Sequence, residues 1–168
     1  MTSSEFDDDF LGPVDLPIRP RRNRRNATIR GLVRETRLSP ESFILPVFVV
    51  DGEDQNVPIA AMPGCYRQSI DFLLKTAKEA RSVGVNSMAL FPALDDKKKD
   101  PRASESTNPD GLNQRAIREL KSAFPDMVVV TDVAMDPYSS DGHDGLVHEG
   151  KILNDETLEI LACMAVSQ

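Results

Sequence analysis

FILPVFVV, residues Phe43–Val50, is a short, nearly continuous apolar run rich in branched and aromatic side chains. Such a run suits a strand covered on both faces, as in a parallel sheet. After a Gly/Pro-punctuated loop, IDFLLKTAKEARSVG places Ile70, Leu73, Leu74, Ala77 and Ala80 along one helical face, with Gly84 as the stop. SMALFP (Ser87–Pro92) predicts a second strand. Past the polar loop DDKKKDPRASESTNPDG, the segment LNQRAIRELKSAF carries Leu112, Ala116, Leu120 and Ala123 on one face, and Pro125 ends it. MVVVTDVA (Met127–Ala134) predicts the third strand. A last helix is expected from Asn154 as N-cap, with Asp155 and Glu156 in its first turn and Leu158, Leu161, Ala162 and Ala165 on its packed face. Strand and helix alternate three times, and right-handed crossovers turn that alternation into a parallel sheet, so the chain is α/β. Neither GxGxxG nor GxxxxGK[ST] follows the first strand, so dinucleotide and P-loop phosphate binding have no support.

Upstream of the first strand, Met1–Pro17 is polar and acidic without a period, and IRPRRNRRNATIRGLVRETRLSPESF follows as a basic arm with a short helix expected over Ala27–Arg34. The division is therefore 1–42, tail and arm, and 43–168, the alternating part. Arg21, Arg22, Arg24 and Arg25 are read as a subunit contact; a solvated arm and an RNA contact are the alternatives. The arm has no interleaved aromatics to stack bases, and the net charge of −7 is wrong for a general polyanion binder, so nucleic acid is not the expected partner. Cys65 and Cys163 form no CxxC and lie near no histidine pattern, so neither a disulfide framework nor a zinc finger is expected. The acidic opening resembles neither a signal peptide nor a transit peptide, and no apolar run reaches the ~18 residues of a membrane span. A reducing, cytoplasmic setting without membrane attachment is the expectation.

The third strand runs into TDVAMDPYSSDGHDG, residues Thr131–Gly145, which crowds Asp132, Asp136, Asp141, His143 and Asp144 together. In parallel α/β proteins chemistry sits on the loops at the C-terminal ends of strands. Asp and Gly also make turns at little cost, which is the plain alternative. Against it, Asp132 lies within the apolar run, where an ionised side chain needs a partner. Hard oxygen ligands favour Mg²⁺ over zinc. An EF-hand fails, because with Gly145 as sixth loop residue the twelfth is Lys151 rather than Glu. His143 is read either as a ligand or general base, or as a solvated loop histidine.

From about Arg19 to Gln168, RPRRNRRN, FILPVFVVDG, AMPGCYRQSI, ALFP, NPDGLNQRAIRELK, TDVAMDPYSSDGHDGL and LNDETLEILACMAVSQ resemble, in order, the porphobilinogen synthase or delta-aminolevulinate dehydratase family. The resemblance implies a (β/α)₈ TIM barrel, of which this chain holds an N-terminal arm and about the first three βα units, assembled as a homo-octamer. It implies a hydro-lyase of haem and tetrapyrrole biosynthesis that condenses two molecules of 5-aminolevulinate into porphobilinogen. The family's zinc-dependent members carry three cysteines where this sequence has Ala134, Asp136 and Asp144. The chain thus resembles the aspartate-rich branch, with magnesium as the cofactor instead of zinc and Asp136 and Asp144 as its candidate ligands. Asp132 matches an active-site carboxylate.

The family's two Schiff-base lysines belong to blocks beyond Gln168. A low-pKa lysine needs a desolvated or cationic setting. Lys75, Lys78 and Lys121 fall on polar helix faces, Lys97, Lys98 and Lys99 form a loop run expected to be solvated, and Lys151 follows a turn. The chain alone is therefore expected to be inactive, with unpaired edges on its first and third strands. Two further readings stay open: a form without catalysis that docks on intact subunits through its arm, and an RNA-binding protein.

Overall fold

The computed structural model describes residues 21–168, which fall into two compact units, 21–38 and Ser39–Gln168. In the first, a 3-10 turn Arg22–Arg24 leads into helix α1 (Ala27–Leu32). Asn26 starts α1: its side-chain oxygen accepts a hydrogen bond from the Ile29 amide at 2.9 Å, satisfying one of the helix's free donors. The helix ends two residues before the expected Arg34. Residues 1–20, with the acidic tail, lie outside the described residues.

The second unit is built on a five-stranded sheet ordered β2-β3-β1-β4-β5. Its three parallel strands are β1 (Leu45–Val50), β4 (Ser87–Ala93) and β5 (Val128–Thr131), joined by helices α2 (Ile70–Ser82) and α3 (Leu112–Ala123). The three apolar runs are thus strands of one parallel sheet, β1 in register with β4 from Leu45↔Met88 to Val50↔Ala93 and β4 with β5 from Ser87↔Val128 to Leu90↔Thr131. Gly84 ends α2 as expected. At φ +91° its amide bonds to the Arg81 carbonyl while Val85 reaches back to Ala80, so two last-turn carbonyls are satisfied in a conformation that suits glycine.

One face of the sheet is packed. Val47, Val49, Met88 and Leu90 meet Leu73 and Ala77 of α2 and Leu112, Ala116 and Leu120 of α3 in a single buried cluster. Burial alternates along β1, so the run that suits cover on both faces has it on one in this chain: Pro46 is exposed and Phe48 and Val50 half-buried. On that second face Phe48 and Phe91 pack at 5.7 Å between ring centroids, and Val128 of β5 remains 55% exposed. Ala123 of α3 is exposed, contrary to its expected place on the packed face. Buried Asn113 and Gln114 take over at the other end of the helix, Gln114 donating to the Ser106 carbonyl (2.7 Å) and to Ser167 Oγ (3.0 Å).

Two hairpins lie where only loops were expected. β2 (Asn56–Pro58) pairs antiparallel with β3 (Tyr66–Gln68), and β3 pairs parallel with β1 through Phe48↔Arg67 and Val49↔Gln68. The first strand's edge is therefore partly covered, correcting the expectation that it stays open; β5 does end the sheet. The second hairpin, β6 (Leu146–His148) and β7 (Lys151–Leu153), leads into helix α4 (Asn154–Ser167). Leu153 is the residue before this helix, so Asn154 sits inside the first turn rather than capping it.

The packed face of α4 also differs from the expected one. Thr157, Ile160 and Met164 are buried, whereas Leu158, Ala162 and Ala165 are exposed and Val166 is 90% exposed. Apolar side chains occupy nearly the whole circumference of this helix, so periodicity does not select a side. Thr157 decides it: its Oγ1 accepts from the Leu146 amide at 3.0 Å and donates to the Leu153 carbonyl, tying helix to hairpin. At Gly145 an added Cβ would come within 2.6 Å of Ile152 Cγ2, so this crossing requires glycine.

Candidate functional site

The acidic stretch leaves β5 as a folded loop with a core of its own. Met135 and Tyr138 are fully buried with Ala103, Ile160 and Met164, a second apolar cluster separate from the one under the sheet. Tyr138 and Ser139 both donate backbone bonds to the Met135 carbonyl, closing a turn through the middle of the loop. The loop after β4 is zipped to it. Asp100 donates its amide to the Tyr138 carbonyl and accepts at its own carbonyl from Ser140, while its carboxylate accepts from the amides of Arg102 and Ser104. Met135, Tyr138 and Asp100 were not singled out from the sequence. The one signal for them was that Met and Tyr stand inside an otherwise polar loop.

This scaffold turns the carboxylates outward. Asp132, Asp136, Asp144, Asp141 and His143 are all exposed. Asp132 follows the last residue of β5 on the side shared with Val128 and Val130, which no helix of this unit covers. Asp132 is therefore not buried, contrary to expectation, and its charge needs no partner on that ground; it projects from the sheet's uncovered face. Its backbone carbonyl accepts from Gln168 Nε2 at 3.3 Å. Asp144 folds back on the loop, one carboxylate oxygen accepting from the Met135 amide at 2.6 Å. Partial burial, reinforced by the charges of Asp144 and Asp132, pushes the Asp136 carboxyl above the usual carboxylate range. Asp136 therefore feels the charges of both Asp132 and Asp144.

No three His, Cys, Asp or Glu side chains among the described residues converge to hold an ion. A magnesium ion that keeps most of its water shell asks less, since one or two carboxylates suffice. Asp136 and the second oxygen of Asp144 fit that requirement in donor chemistry. A cation fully enclosed by protein ligands does not fit.

A different arrangement sits at the end of β1. Asp51, directly after Val50, receives Lys98 Nζ at 2.9 Å and the Arg115 guanidinium, and Glu105 lies 3.9 Å from the same lysine. Partial burial opposes ionisation of Asp51, but the hydrogen bonds from Lys98 and Arg115 outweigh it and hold the carboxyl below its ordinary value. Lys98 is exposed, as expected, but also paired, and its hydrogen bond to Asp51 raises its pKa against the opposing effect of burial, the opposite of what an imine-forming lysine requires. Lys121 donates to the carbonyls of Pro125 and Met127, Lys99 pairs with Asp96, and Lys75, Lys78, Lys97 and Lys151 are exposed. No lysine lies in a desolvated strand-end setting.

In the other unit Arg21, Arg22, Arg24 and Arg25 are exposed and line a common hollow, and none forms an ion pair among the described residues. No helix among the described residues is long and apolar enough to cross a membrane.

A parallel α/β layer with its carboxylates on the loops after the strands is the arrangement of barrel-type α/β enzymes. A sequence model of the family described as Delta-aminolevulinic acid dehydratase matches residues 17–168, and the chain belongs to that family. It is 54% identical over 160 residues to the chloroplastic delta-aminolevulinic acid dehydratase of Physcomitrium patens, covering 94% of this chain and 37% of the relative. With the chloroplastic protein of Chlamydomonas reinhardtii it shares 53% over 165 residues, covering 95% and 41%. The chain thus spans about two fifths of the length of the curated relatives it matches. Among solved structures, the Toxoplasma gondii enzyme in complex with its reaction product porphobilinogen superposes with a TM-score of 0.86 at 52% identity, over 91% of this chain and 44% of that one. The relatives' names overturn the cytoplasmic setting expected above and point to a plastid. Sparse, unpaired cysteines signal a reducing compartment, and that signal does not tell one such compartment from another.

Proposed function

We propose that this chain supplies the first strands and the acidic loop of a plastid porphobilinogen synthase, which condenses and dehydrates two molecules of 5-aminolevulinate. The observation that carries this reading is its close superposition, at 52% identity, on a relative whose structure holds the product. Asp132, exposed at the strand end on the uncovered face, is positioned to meet a substrate amine or carry a proton. Asp136 and Asp144 would hold magnesium partly through water, and the ion would supply positive charge that relieves the crowded carboxylates. The three βα units are the N-terminal part of a closed barrel, and the arm 1–42, with Arg21, Arg22, Arg24 and Arg25, serves subunit contact in a homo-octamer. The guanidinium fork suits multidentate contacts with carboxylates and carbonyls.

The test is turnover of 5-aminolevulinate by the protein in its native assembly, with magnesium or zinc restored after chelation. Magnesium-dependent porphobilinogen formation is expected; no product with either metal overturns the assignment. Changing Ala134, Asp136 and Asp144 together to cysteine should move the preference toward zinc. Unchanged magnesium activation with no zinc bound would show that the loop does not select the metal. Borohydride trapping with 5-aminolevulinate should leave Lys75, Lys78, Lys97, Lys98, Lys99, Lys121 and Lys151 unmodified, since none occupies a desolvated site.

A further inference from the structure

We propose that Tyr138 is a positioning residue for the condensation: its hydroxyl and the Asn113 side chain form a sealed donor–acceptor pair that locks the acidic loop to the first turn of α3 and sets where Asp132 and Asp136 stand. The inference rests on the function proposed above. Tyr138 is 2% exposed and Asn113 3%, so bulk water reaches neither. The Tyr138 hydroxyl and Asn113 Oδ1 are both enclosed, and neither has a hydrogen-bond partner among the described residues. Left alone, each costs free energy; together they are complementary, since the hydroxyl donates and Oδ1 only accepts. The Asn113 carboxamide already lies within hydrogen-bond reach of the hydroxyl. Turning it about its terminal torsion, which is broad for Asn, presents Oδ1 to that hydroxyl.

The pair joins two parts of the packing. Asn113 follows Leu112, which belongs to the apolar cluster under the sheet, and Tyr138 belongs to the second cluster. The Tyr138 amide donates to the Met135 carbonyl and its own carbonyl accepts from the Asp100 amide. The ring is thereby tied both to the turn that carries Asp136 and to the loop after β4. Its hydroxyl also feels the candidate site: burial, the charge of Glu105 and, more weakly, that of Asp132 push its pKa up to about 12, against the opposing contact with Asn113. Phenylalanine would fill the same cluster without an oxygen to satisfy, so packing alone gives no reason for the hydroxyl. A satisfied buried polar pair does: it fixes one arrangement of the loop where apolar contacts tolerate several.

The experiment measures turnover of 5-aminolevulinate and the thermal unfolding midpoint, in the native assembly with magnesium, for the parent, Tyr138→Phe, Asn113→Leu and the double variant. Leucine keeps the branched outline of asparagine. Each single variant leaves one sealed polar atom alone, so both should lower the midpoint by several degrees and kcat about tenfold, with KM held within about twofold. The double variant leaves neither atom alone and should regain most of the midpoint while kcat stays low, because the loop is no longer fixed. That split separates positioning from stability. Recovery of kcat together with the midpoint would make the pair structural only and overturn the proposal, as would a parent-like kcat in Tyr138→Phe. A parent assembly that makes no porphobilinogen would overturn the function proposed above and this role with it.

Discussion

Two parallel strands end on an aspartate, and the two carboxylates meet opposite surroundings. Asp51 after β1 is closed into an ion-pair network with Lys98 and Arg115, while Asp132 after β5 stands exposed with Asp136 for an electrostatic neighbour. In sequence the two positions read alike, an apolar run followed by Asp. What separates them is long-range: Lys98 and Arg115 arrive from 47 and 64 residues away, whereas the β5 loop brings more carboxylates and no lysine or arginine. One end is neutralised by the fold itself and the other leaves negative charge for something else to neutralise. That difference makes the β5 end the candidate site and the β1 end its frame.

The largest expected effect concerns the anchors. Met135→Ala should cost ~2–5 kcal/mol, as should Leu90→Ala in the cluster under the sheet. Their consequences should differ in place. Amide exchange across residues 136–145 should accelerate strongly in Met135→Ala while Asp51 and its neighbours keep their protection; equal acceleration at both ends would show that the two clusters are one cooperative unit.

A smaller effect is expected from Arg115→Ala. Both members of the pair are more than a third exposed, so solvent screening limits the loss to about 1 kcal/mol or less in chemical denaturation. A loss several times larger would mean that the β1 end is a buried network.

The smallest effect is a difference in sign with pH. The folded pKa of Asp51 is depressed, so its contribution is present above the ordinary value of 3.8 and lost as pH falls through the lower folded value. The folded pKa of Asp136 is raised, so its contribution is full below 3.8 and lost as pH rises through the folded value. Asp51→Asn should therefore flatten the acid limb of a stability–pH profile, and Asp136→Asn should raise stability at neutral pH relative to acid. Like-signed changes would remove the electrostatic contrast.

The parallel strands and their helices were legible because each apolar run is local and each helix carries its own period and stop, as Gly84 shows. The short hairpins were not: β2, β3, β6 and β7 are three residues each and owe their pairing to neighbours rather than to alternation. The side of α4 was hidden by apolar residues all round it, and Thr157, a polar residue, marks the packed side. Within the candidate site, the identities of Asp132, Asp136 and Asp144 could be read, but not their exposure. Asp132 looks buried in the string MVVVTDVA only if β5 has cover on both faces.

Turnover is the most direct test of the division between site and frame. Porphobilinogen formation should be compared between Asp132→Asn and Asp51→Asn in the native assembly, with magnesium present. The expected result is a fall of about 100-fold or more in kcat for Asp132→Asn, the scale on which a positioned proton-transfer group acts, and a change of only severalfold for Asp51→Asn. Full activity in Asp132→Asn together with collapse of turnover in Asp51→Asn would contradict the account and move the chemistry to the end of β1.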